Sequence, residues 1–357
     1  MTASFEMTTP FAQAQVAKEA RLLAVLRDLT QRHVDHCPAY ARMLATWHPD
    51  WARAESIEAL PWLPVGLFKR LELTSVPAAE IVRELNSSGT TGSAPARIYL
   101  DGPTARRQTQ ALLAIVKDFL GVARRPMLII DSDTPLAKNA PLSARRAAVL
   151  GFSTFGRDHT YALRPDLQID RPVVDAFLSR HAGQPILVFG FTFMIWRHLL
   201  VALADQGLTL PAGSILLHGG GWKKMSDHQV DQATFKGAIR LRLGVESVHD
   251  YYGMAEQVGS IFIECASGRL HVPAYAEVVI RDQRSLQPLA AGETGLIQIL
   301  SELPLSYPGH SVLTEDVGAW LGVDDCPCGR LGRTLRVEGR LPQAELRGCS
   351  DTGGGGR

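Results

Sequence analysis

Three short, mainly apolar segments restrict most strongly what this chain can fold into. They are MLIIDS (127–132), PILVFGF (185–191) and GSILLHGGG (213–221), and each is preceded or followed by a helical pattern. Continuous apolar strands that alternate with helices predict an α/β fold built on a mostly parallel sheet. Because ligands bind beyond the carboxyl ends of such strands, we expect a site in the loops that follow these segments.

The regions on either side of this part have other patterns. Residues 11–57 predict helices, because apolar residues recur on one side with polar residues between them: Leu22, Leu23, Val25, Leu26 and Leu29. Short β-rich runs at 260–264, 276–281 and 295–301 are divided by turn signals, and they predict an antiparallel or barrel-like subregion. The glycine-rich segment 349–357 is expected to be mobile.

Composition excludes several classes of protein. With 37 basic and 36 acidic residues among 357, the net charge of +1 gives no sign of the basic stripe that nucleic-acid binding requires. The start of the chain lacks the basic and apolar regions of a signal peptide, and five cysteines are too few for a disulfide framework, which predicts a cytoplasmic, reduced protein. The apolar segment 185–204 carries Arg197 and His198 near its middle. It therefore predicts a buried strand (186–189), a glycine turn and an amphipathic helix, and not a membrane span.

The segment NSSGTTGSAP (86–95), which precedes the strand-like ARIYLD, is dense in glycines and hydroxyl side chains. Glycines tolerate the positive φ values that let backbone N–H groups close around phosphate oxygens. The segment is not a Walker P-loop, because Ser93 and Ala94 follow Gly92 where that pattern requires lysine. It predicts a phosphate-binding loop, and a flexible Ser/Gly turn is the alternative for such a motif standing alone.

Three further motifs follow this loop in order: YYGMAE (251–256), TEDVG (314–318) and GR (339–340). Together the four resemble the adenylate-forming superfamily over about residues 60–349. Within it the chain is more similar to phenylacetate–CoA ligases, and most similar to the acyl-protein synthetases of bacterial fatty-acid reductases. The residues that carry this closer resemblance are Phe68 and Lys69, SSGTTG with IYLD, FGFTF (189–193), LHGGGWKK (217–224), HDYYGMAEQVG (249–259) and ELRGCSD (345–351).

The resemblance implies a fold and an activity. The fold is the large α/β adenylation domain of these enzymes, with mixed and parallel sheets and a small β subregion, over residues 1–340, of which 1–60 form a helical part. A short tail, 341–357, takes the place of most of the C-terminal domain. The implied activity is the conversion of a carboxylic acid, a fatty acid in this family, into an acyl adenylate with ATP and Mg²⁺, followed by transfer to a thiol.

The resemblance also assigns residues to the nucleotide. The β- and γ-phosphates would contact the loop residues Ser87, Ser88, Gly89, Thr90, Thr91 and Gly92. Glu256 would ligate Mg²⁺, a hard ion suited to carboxylate oxygen. Asp316 would accept hydrogen bonds from both ribose hydroxyls, and Arg340 would contact ribose or phosphate. The remaining assignments are adenine stacking by Tyr251 or Tyr252 and close backbone approach at Gly219, Gly220, Gly221 and Gly253.

The acid requires an apolar slot beside the nucleotide. Phe189, Phe191, Phe193 and Trp222 lie in segments that match the family and are candidates to line it, although an aromatic cluster after a buried strand also suits an ordinary core.

Four cysteine and histidine positions form a separate pattern. Cys265 and His271 are a C-x5-H pair and Cys326 and Cys328 a C-x-C pair, and a set of three cysteines and one histidine suits tetrahedral Zn²⁺. Similar positions occur in some relatives of phenylacetate–CoA ligases. A structural zinc site is therefore expected, and three buried thiols beside a hydrogen-bonded histidine are the alternative. Cys37 is interpreted as a buried or incidental thiol.

Cys349 has a different context, because RGCSD stands close to the glycine-rich end. In acyl-protein synthetases a cysteine near this position accepts the acyl group as a thioester, which a partner reductase or another acyl acceptor then takes up. Thiolate is the attacking form, and Arg347 is placed to lower the pKa of such a thiol. An exposed cysteine without a role is the alternative.

The sequence after Arg340 differs from the pattern of the adenylate-forming superfamily. Only 17 residues follow Arg340, and Leu341 and Pro342 stand where the hinge aspartate is expected. We therefore expect the cation that assists adenylation to come from elsewhere than the usual C-terminal domain. Lys69, Arg97 and Lys223 are the candidates for an adenylation cation. Two alternative functions stay open: a ligase that releases the acyl group to CoA or a carrier protein, and a non-catalytic subunit that binds nucleotide or acyl groups.

Overall fold

The computed structural model describes residues 9–86, 95–134, 144–203, 207–222 and 230–341. Its centre is a mixed sheet. The parallel half contains β4 (Arg125–Ile130), β5 (Gly156–Tyr161), β6 (Leu187–Phe191), β7 (Ile215–Gly219) and β8 (Ser247–Tyr252), in the spatial order β8-β7-β6-β4-β5. The α/β class with a mostly parallel region, predicted from the three apolar segments, is confirmed.

Helices cover both faces of this parallel half. One face packs against α5 (Arg171–Arg180), α6 (Thr192–Met194) with the π-helix Ile195–Val201 that continues it, and α7 (Gln232–Leu243). The other face packs against α3 (Gly102–Leu120) and α4 (Ala144–Ser153). Local sequence fixes where these helices begin, since the Asp101, Asp170 and Asp231 carboxylates accept N-terminal backbone hydrogen bonds of α3, α5 and α7.

The antiparallel half continues the same sheet beyond β8. Its strands are β9 (Phe262–Glu264), β10 (Leu270–His271), β11 (Ala276–Arg281), β12 (Gly295–Ser301), β13 (Ser311–Val323) and β14 (Arg333–Arg340). Among the described residues the strand order runs openly from β11 at one edge to β5 at the other, so the antiparallel alternative is the one observed and no barrel closes. The sheet therefore joins β8 and β14 through β9 and β10.

The N-terminal region lies against this antiparallel half. Its helices are α1 (Gln15–His36) and α2 (Pro38–Trp47), as the apolar periodicity predicts, and Leu22, Leu26 and Leu29 pack on Val279 and Leu300. The connector that follows contains the short strand β1 (Leu63–Pro64), paired with β13, and the 3₁₀ helix Val65–Lys69. A two-stranded hairpin, β2 (Ile81–Asn86) and β3 (Arg97–Asp101), completes the described elements.

One sequence interpretation is wrong in detail. Residues 186–189 were expected to end at a glycine turn, but β6 runs through Gly190 to Phe191. Gly190 is required by close packing, since a Cβ there would lie 2.9 Å from Cβ of Ile130. The segment nevertheless forms a buried strand followed by a helix, and no helix in the described part of the chain is long and apolar enough to cross a membrane.

Candidate functional site

Asp316 stands at the centre of a polar cluster where the two halves of the sheet meet. It lies on β13 directly opposite Arg340 on β14, and Arg340 Nε is 3.1 Å from Asp316 Oδ1. The Tyr252 hydroxyl, at the end of β8, donates to Asp316 Oδ2 over 2.7 Å. The structure thus brings together three residues that were predicted to contact the nucleotide, from three different strands.

Glu256 lies beside this cluster in the short 3₁₀ turn Ala255–Gln257 and is 6% exposed. Burial raises the pKa of its carboxyl, and the positive charges of Lys69 and Arg340 oppose that rise. Lys69 ends the 3₁₀ helix Val65–Lys69, which packs against β13 and β3. The Glu256 carboxylate offers the hard oxygen donors that suit Mg²⁺, and the two cations suit a triphosphate.

Two residues to which the sequence analysis gave no role hold the Glu256 turn in place. The Tyr307 hydroxyl donates to the Glu256 carbonyl oxygen over 2.8 Å, and Tyr307 is fully buried. Gln257 Nε2 donates to the carbonyl oxygens of Ile299 and Gly309 over 2.9 and 2.7 Å. Tyr307 and Gly309 stand in a segment without secondary-structure periodicity, so no pattern in the sequence indicated this contact.

The glycine turn after β7 has the backbone freedom expected of it. Gly220 and Gly221 have φ values of +79° and +58°. Gly219 and Gly220 are also required by packing, because added Cβ atoms would lie 2.6 Å from the Tyr251 ring and 2.8 Å from Phe191. At Gly253 a Cβ would lie 2.9 Å from Ile261 Cγ2. Gly219, Gly220 and Gly253 are explained by packing inside the protein, Gly221 only by its positive φ, and close approach to a nucleotide stays a prediction.

The two tyrosines predicted for adenine have different surroundings. Tyr251 is 9% exposed and packs in the core against Phe152 and Phe189, with ring centroids 4.7 and 6.3 Å away. Tyr252 is half-buried and bonded to Asp316. The geometry favours Tyr252 for the stacking role, which stays a prediction.

The aromatic residues predicted for the acid lie together on the α7 side of the sheet. Phe191, Phe193 and Trp222 belong to or pack against one apolar cluster there. The structure adds Trp196, on the π-helix, and Phe235, on α7, with ring centroids 5.8 and 6.2 Å from that of Trp222. Phe189 faces the opposite side, in the cluster beneath α3 and α4, which removes it from this group.

Several predicted site residues lie outside the described residues. They are Ser87, Ser88, Gly89, Thr90, Thr91 and Gly92 of the phosphate loop, Lys223, Arg347 and Cys349. Asn86 and Arg97, on either side of that loop, pair with each other on β2 and β3, and Arg97 is exposed.

The predicted zinc ligands converge in three dimensions. One ligand atom from each of Cys265, His271, Cys326 and Cys328 lies within 4.8 Å of the others. Cys265 and Cys326 Sγ are 3.6 Å apart, and Cys328 Sγ is 3.3 Å from His271 Nε2. Tetrahedral Zn²⁺ with Zn–S bonds of about 2.3 Å separates its sulfur ligands by about 3.7 Å, so the set fits the ion. Burial lowers the pKa of His271 to about 4, which keeps the imidazole neutral as metal binding requires.

Comparisons with known proteins identify the family of the chain. Residues 5–353 match the family model described as acyl-protein synthetase, LuxE. A long-chain-fatty-acid–luciferin-component ligase of Vibrio harveyi is 25% identical over 306 residues, covering 83% of this chain and 78% of the relative. The enzyme of the same description from Aliivibrio fischeri is 22% identical over 299 residues, with the same coverage.

Among solved structures, 2-hydroxyisobutyryl-CoA ligase in the postadenylation state superposes with a TM-score of 0.70 at 16% identity, over 96% of this chain and 72% of that one. That likeness establishes the fold, which is shared with an adenylate-forming enzyme. The family model spans nearly the whole sequence, and it includes every strand and helix described above. The chain therefore belongs to the acyl-protein synthetase (LuxE) family.

Proposed function

We propose that this chain uses ATP to activate a fatty acid as an acyl adenylate and then transfers the acyl group to a cysteine thiol. The observation that carries the proposal is the convergence of Glu256, Asp316, Arg340, Tyr252 and Lys69 where the two halves of the sheet meet, in a member of this family. Glu256 and Asp316 are the acidic residues that the activation of an acid by ATP needs there, one for Mg²⁺ and one for ribose.

In the first step a carboxylate oxygen of the acid attacks the α-phosphorus of ATP, the bond to the bridging oxygen breaks, and pyrophosphate leaves. Asp316 would hold the ribose hydroxyls, and Arg340, paired with it, would stay oriented toward ribose or phosphate. Mg²⁺ bound by Glu256 would neutralise phosphate charge. Lys69 is the strongest of the three candidate cations, because its charge acts on Glu256 and its 3₁₀ helix packs on β13.

In the second step a thiolate attacks the acyl carbonyl carbon, the bond to the AMP oxygen breaks, and AMP leaves. We assign the thiol to Cys349, with Arg347 lowering its pKa. A thioester on the protein needs a receiver, so an acyl reductase or another acyl acceptor would be the partner. None of the four cysteines in the described part of the chain is in a disulfide.

The same proposal includes a structural Zn²⁺ held by Cys265, His271, Cys326 and Cys328. It is supported by the convergence of the four ligand atoms and by the neutral imidazole. Cys265 directly follows β9, His271 is the last residue of β10, and Cys326 and Cys328 lie in the loop between β13 and β14. We therefore give the ion a role in holding these loops and none in the reaction.

The test uses a radiolabelled fatty acid with ATP and Mg²⁺. We expect covalent label on the chain and pyrophosphate exchange into ATP. The Cys349→Ser variant should lose the label and keep the exchange, whereas the buried Cys37→Ser control should keep both. Undiminished label on Cys349→Ser would overturn the assignment of the acceptor.

Two other outcomes would favour the alternatives. Labelled acyl-CoA that forms only when CoA is added, with no label on the protein, would indicate a ligase with a soluble acceptor. Absence of exchange across a broad panel of acids, with Glu256→Gln no different from the parent in nucleotide binding, would indicate a non-catalytic binding subunit.

A further inference from the structure

A polar side chain lies among the aromatic residues near the predicted acid site and has no role in the steps above. His218 is the fourth residue of β7, at the carboxyl end of the strand, and is 2% exposed. Its ring centroid lies 4.6 Å from that of Phe235, which in turn contacts Trp196 and Trp222. A saturated acyl chain gives no reason for an imidazole in this cluster.

His218 is held from one side. Thr192 Oγ1, at the start of α6, lies 3.0 Å from His218 Nδ1, and Asp250 Oδ1 lies 3.5 Å from the same nitrogen. Asp250 stands directly opposite His218 on the neighbouring strand β8. The Asp250 side chain is about one third exposed. The ring is therefore oriented by two partners at Nδ1.

The other nitrogen, Nε2, is buried and has no hydrogen-bond partner among the described residues. Burial lowers the pKa of His218 to about 3, so the imidazole is neutral at physiological pH. When Thr192 donates to the Gly219 carbonyl, His218 Nδ1–H donates to Thr192 and Nε2 is an acceptor. In the opposite tautomer Nε2–H is a donor. A hydroxyl group donates and accepts, and it completes either arrangement.

We propose that His218 binds a hydroxyl group on the acid, so that this site selects hydroxylated fatty acids over saturated acids of the same length. The inference rests on the proposed function, and it adds the class of acid. A buried polar atom left unpaired is costly, and a site built to bond a substrate hydroxyl rejects the analogue that lacks it. We expect kcat/KM to differ by about tenfold or more between the two acids.

His218 differs from a second buried histidine in the edge of the sheet at which it lies. His181 is 4% exposed, packs on Phe177 and also has an unpartnered Nε2 among the described residues. It follows α5 and precedes β6, which places it at the amino edge of the parallel strands. Ligands bind at the carboxyl edge, where His218 lies. His181 therefore serves as a matched control.

The experiment measures pyrophosphate exchange with pairs of acids of equal length, one saturated and one hydroxylated at carbon 2, at carbon 3 or at the terminus. For the parent, one hydroxylated isomer should exceed its saturated partner in kcat/KM by about tenfold or more. In His218→Leu the ratio should fall to near one, because the hydroxylated acid loses its partner and the saturated acid no longer leaves a buried nitrogen unpaired. Thr192→Val, which removes the group that orients the ring, should lower the ratio independently, and His181→Leu should leave it unchanged.

Three results would overturn the inference. They are the absence of any hydroxyl preference in the parent, an unchanged preference in a folded His218→Leu or Thr192→Val variant, and an equal loss for both acids, which would assign His218 to the reacting carboxylate or to folding. Exchange with saturated acids alone would leave the proposed function standing. Exchange with no acid would overturn that function as well.

Discussion

The hydroxyl of Tyr307 acts on Glu256 through the backbone, because it donates to the Glu256 carbonyl oxygen and does not contact the carboxylate through any described hydrogen bond. Tyr307→Phe removes that bond and keeps the ring. Groups that hold a metal ligand in place typically affect metal affinity by 10- to 100-fold when they are changed. We expect the Mg²⁺ concentration needed for half-maximal pyrophosphate exchange to rise about tenfold.

Tyr275 supplies the control for this prediction. It is also buried, and its hydroxyl also donates to a backbone carbonyl oxygen, that of Ala111, over 2.9 Å. Tyr275→Phe should destabilise the fold by about 1 kcal/mol, as a lost hydrogen bond does, and leave the Mg²⁺ dependence unchanged. Equal Mg²⁺ dependence in both variants would show that Tyr307 has only a structural role.

Asp316 has two oxygen atoms, and each is already bonded, one to Tyr252 and one to Arg340. An amide at this position keeps one acceptor and places a donor against either the tyrosine hydroxyl or the guanidinium group. We expect Asp316→Asn to raise the KM for ATP about tenfold or more, with a smaller change in the KM for the acid. Asp325→Asn, which changes an ion pair with Arg269 outside the site, should alter neither value.

The loop between β13 and β14 joins the proposed zinc ligands to the N-terminal helix. Cys326 and Cys328 lie in it, and so does Asp324, whose carboxylate accepts from the Gln15 backbone N–H at the start of α1 and from Gly332 N. The Leu331 N–H also donates to the carbonyl oxygen of Phe11. An ion that fixes this loop would therefore also fix the N-terminus of α1.

Cys326→Ser should lower bound zinc from about one equivalent to near zero, as measured by elemental analysis, and should lower Tm by several degrees because the loop loses its cross-link. Cys37→Ser changes a buried thiol outside the set and should keep the metal. Purified parent protein without zinc, and with Tm insensitive to a chelator, would contradict the zinc assignment.

The bounds of two strands of the sheet could be predicted from the sequence. Residues 276–281 and 295–301 were predicted with the bounds that the structure gives to β11 and β12, because turn signals stand on both sides of each. The start of β9 was placed two residues early, at Ser260. The π-helix was not predicted, since seven residues of apolar sequence are equally compatible with an α-helix.

Residues of the candidate site that have a role in a recognisable motif could be predicted from the sequence. Residues that only packing places there could not. Glu256, Asp316 and Arg340 each stand in a recognisable motif, and the structure brings them together. Tyr307 stands in no motif, and Gln257 stands in a motif that gave it no role; what they do depends on contacts across 51 and 52 positions of the chain, Tyr307 to Glu256 and Gln257 to Gly309. The aromatic neighbours Trp196 and Phe235 were missed because helical residues join the group only through the tertiary fold.

The N-terminal helix is attached to the rest of the molecule through buried polar contacts as well as through its leucines. Lys18 and Glu277 form an ion pair of 3.1 Å with both side chains buried. Farther along α1, the ring of His33 stacks on that of His310 at 4.8 Å, Ser75 Oγ lies 2.7 Å from His33 Nδ1, and Thr30 Oγ1 lies 2.9 Å from His310 Nε2. Docking of α1 against the segment after β12 thus depends on two neutral imidazoles.

These histidines predict how global stability depends on pH. Burial lowers the pKa of His310 to about 3, and burial together with the neighbouring His310 lowers the pKa of His33 well below its usual value. In the unfolded chain each would titrate near pH 6.5. Between these values the unfolded state binds protons that the folded state does not, so stability is full above about pH 6.5 and falls as the pH drops, by about 1.4 kcal/mol per pH unit for each histidine.

His310→Gln removes one of the two groups and keeps a side chain that can bond Thr30. We expect the free energy of unfolding, measured with urea at several pH values from 7 to 4.5, to depend on pH less steeply than in the parent by about 1.4 kcal/mol per unit at the acid end. His36→Gln, an exposed change at the end of α1, is the control and should keep the slope of the parent. Because His218 and His271 titrate in the same direction, the difference between the slopes is the decisive quantity, and equal slopes for His310→Gln and the parent would mean that His310 is protonated in the folded state.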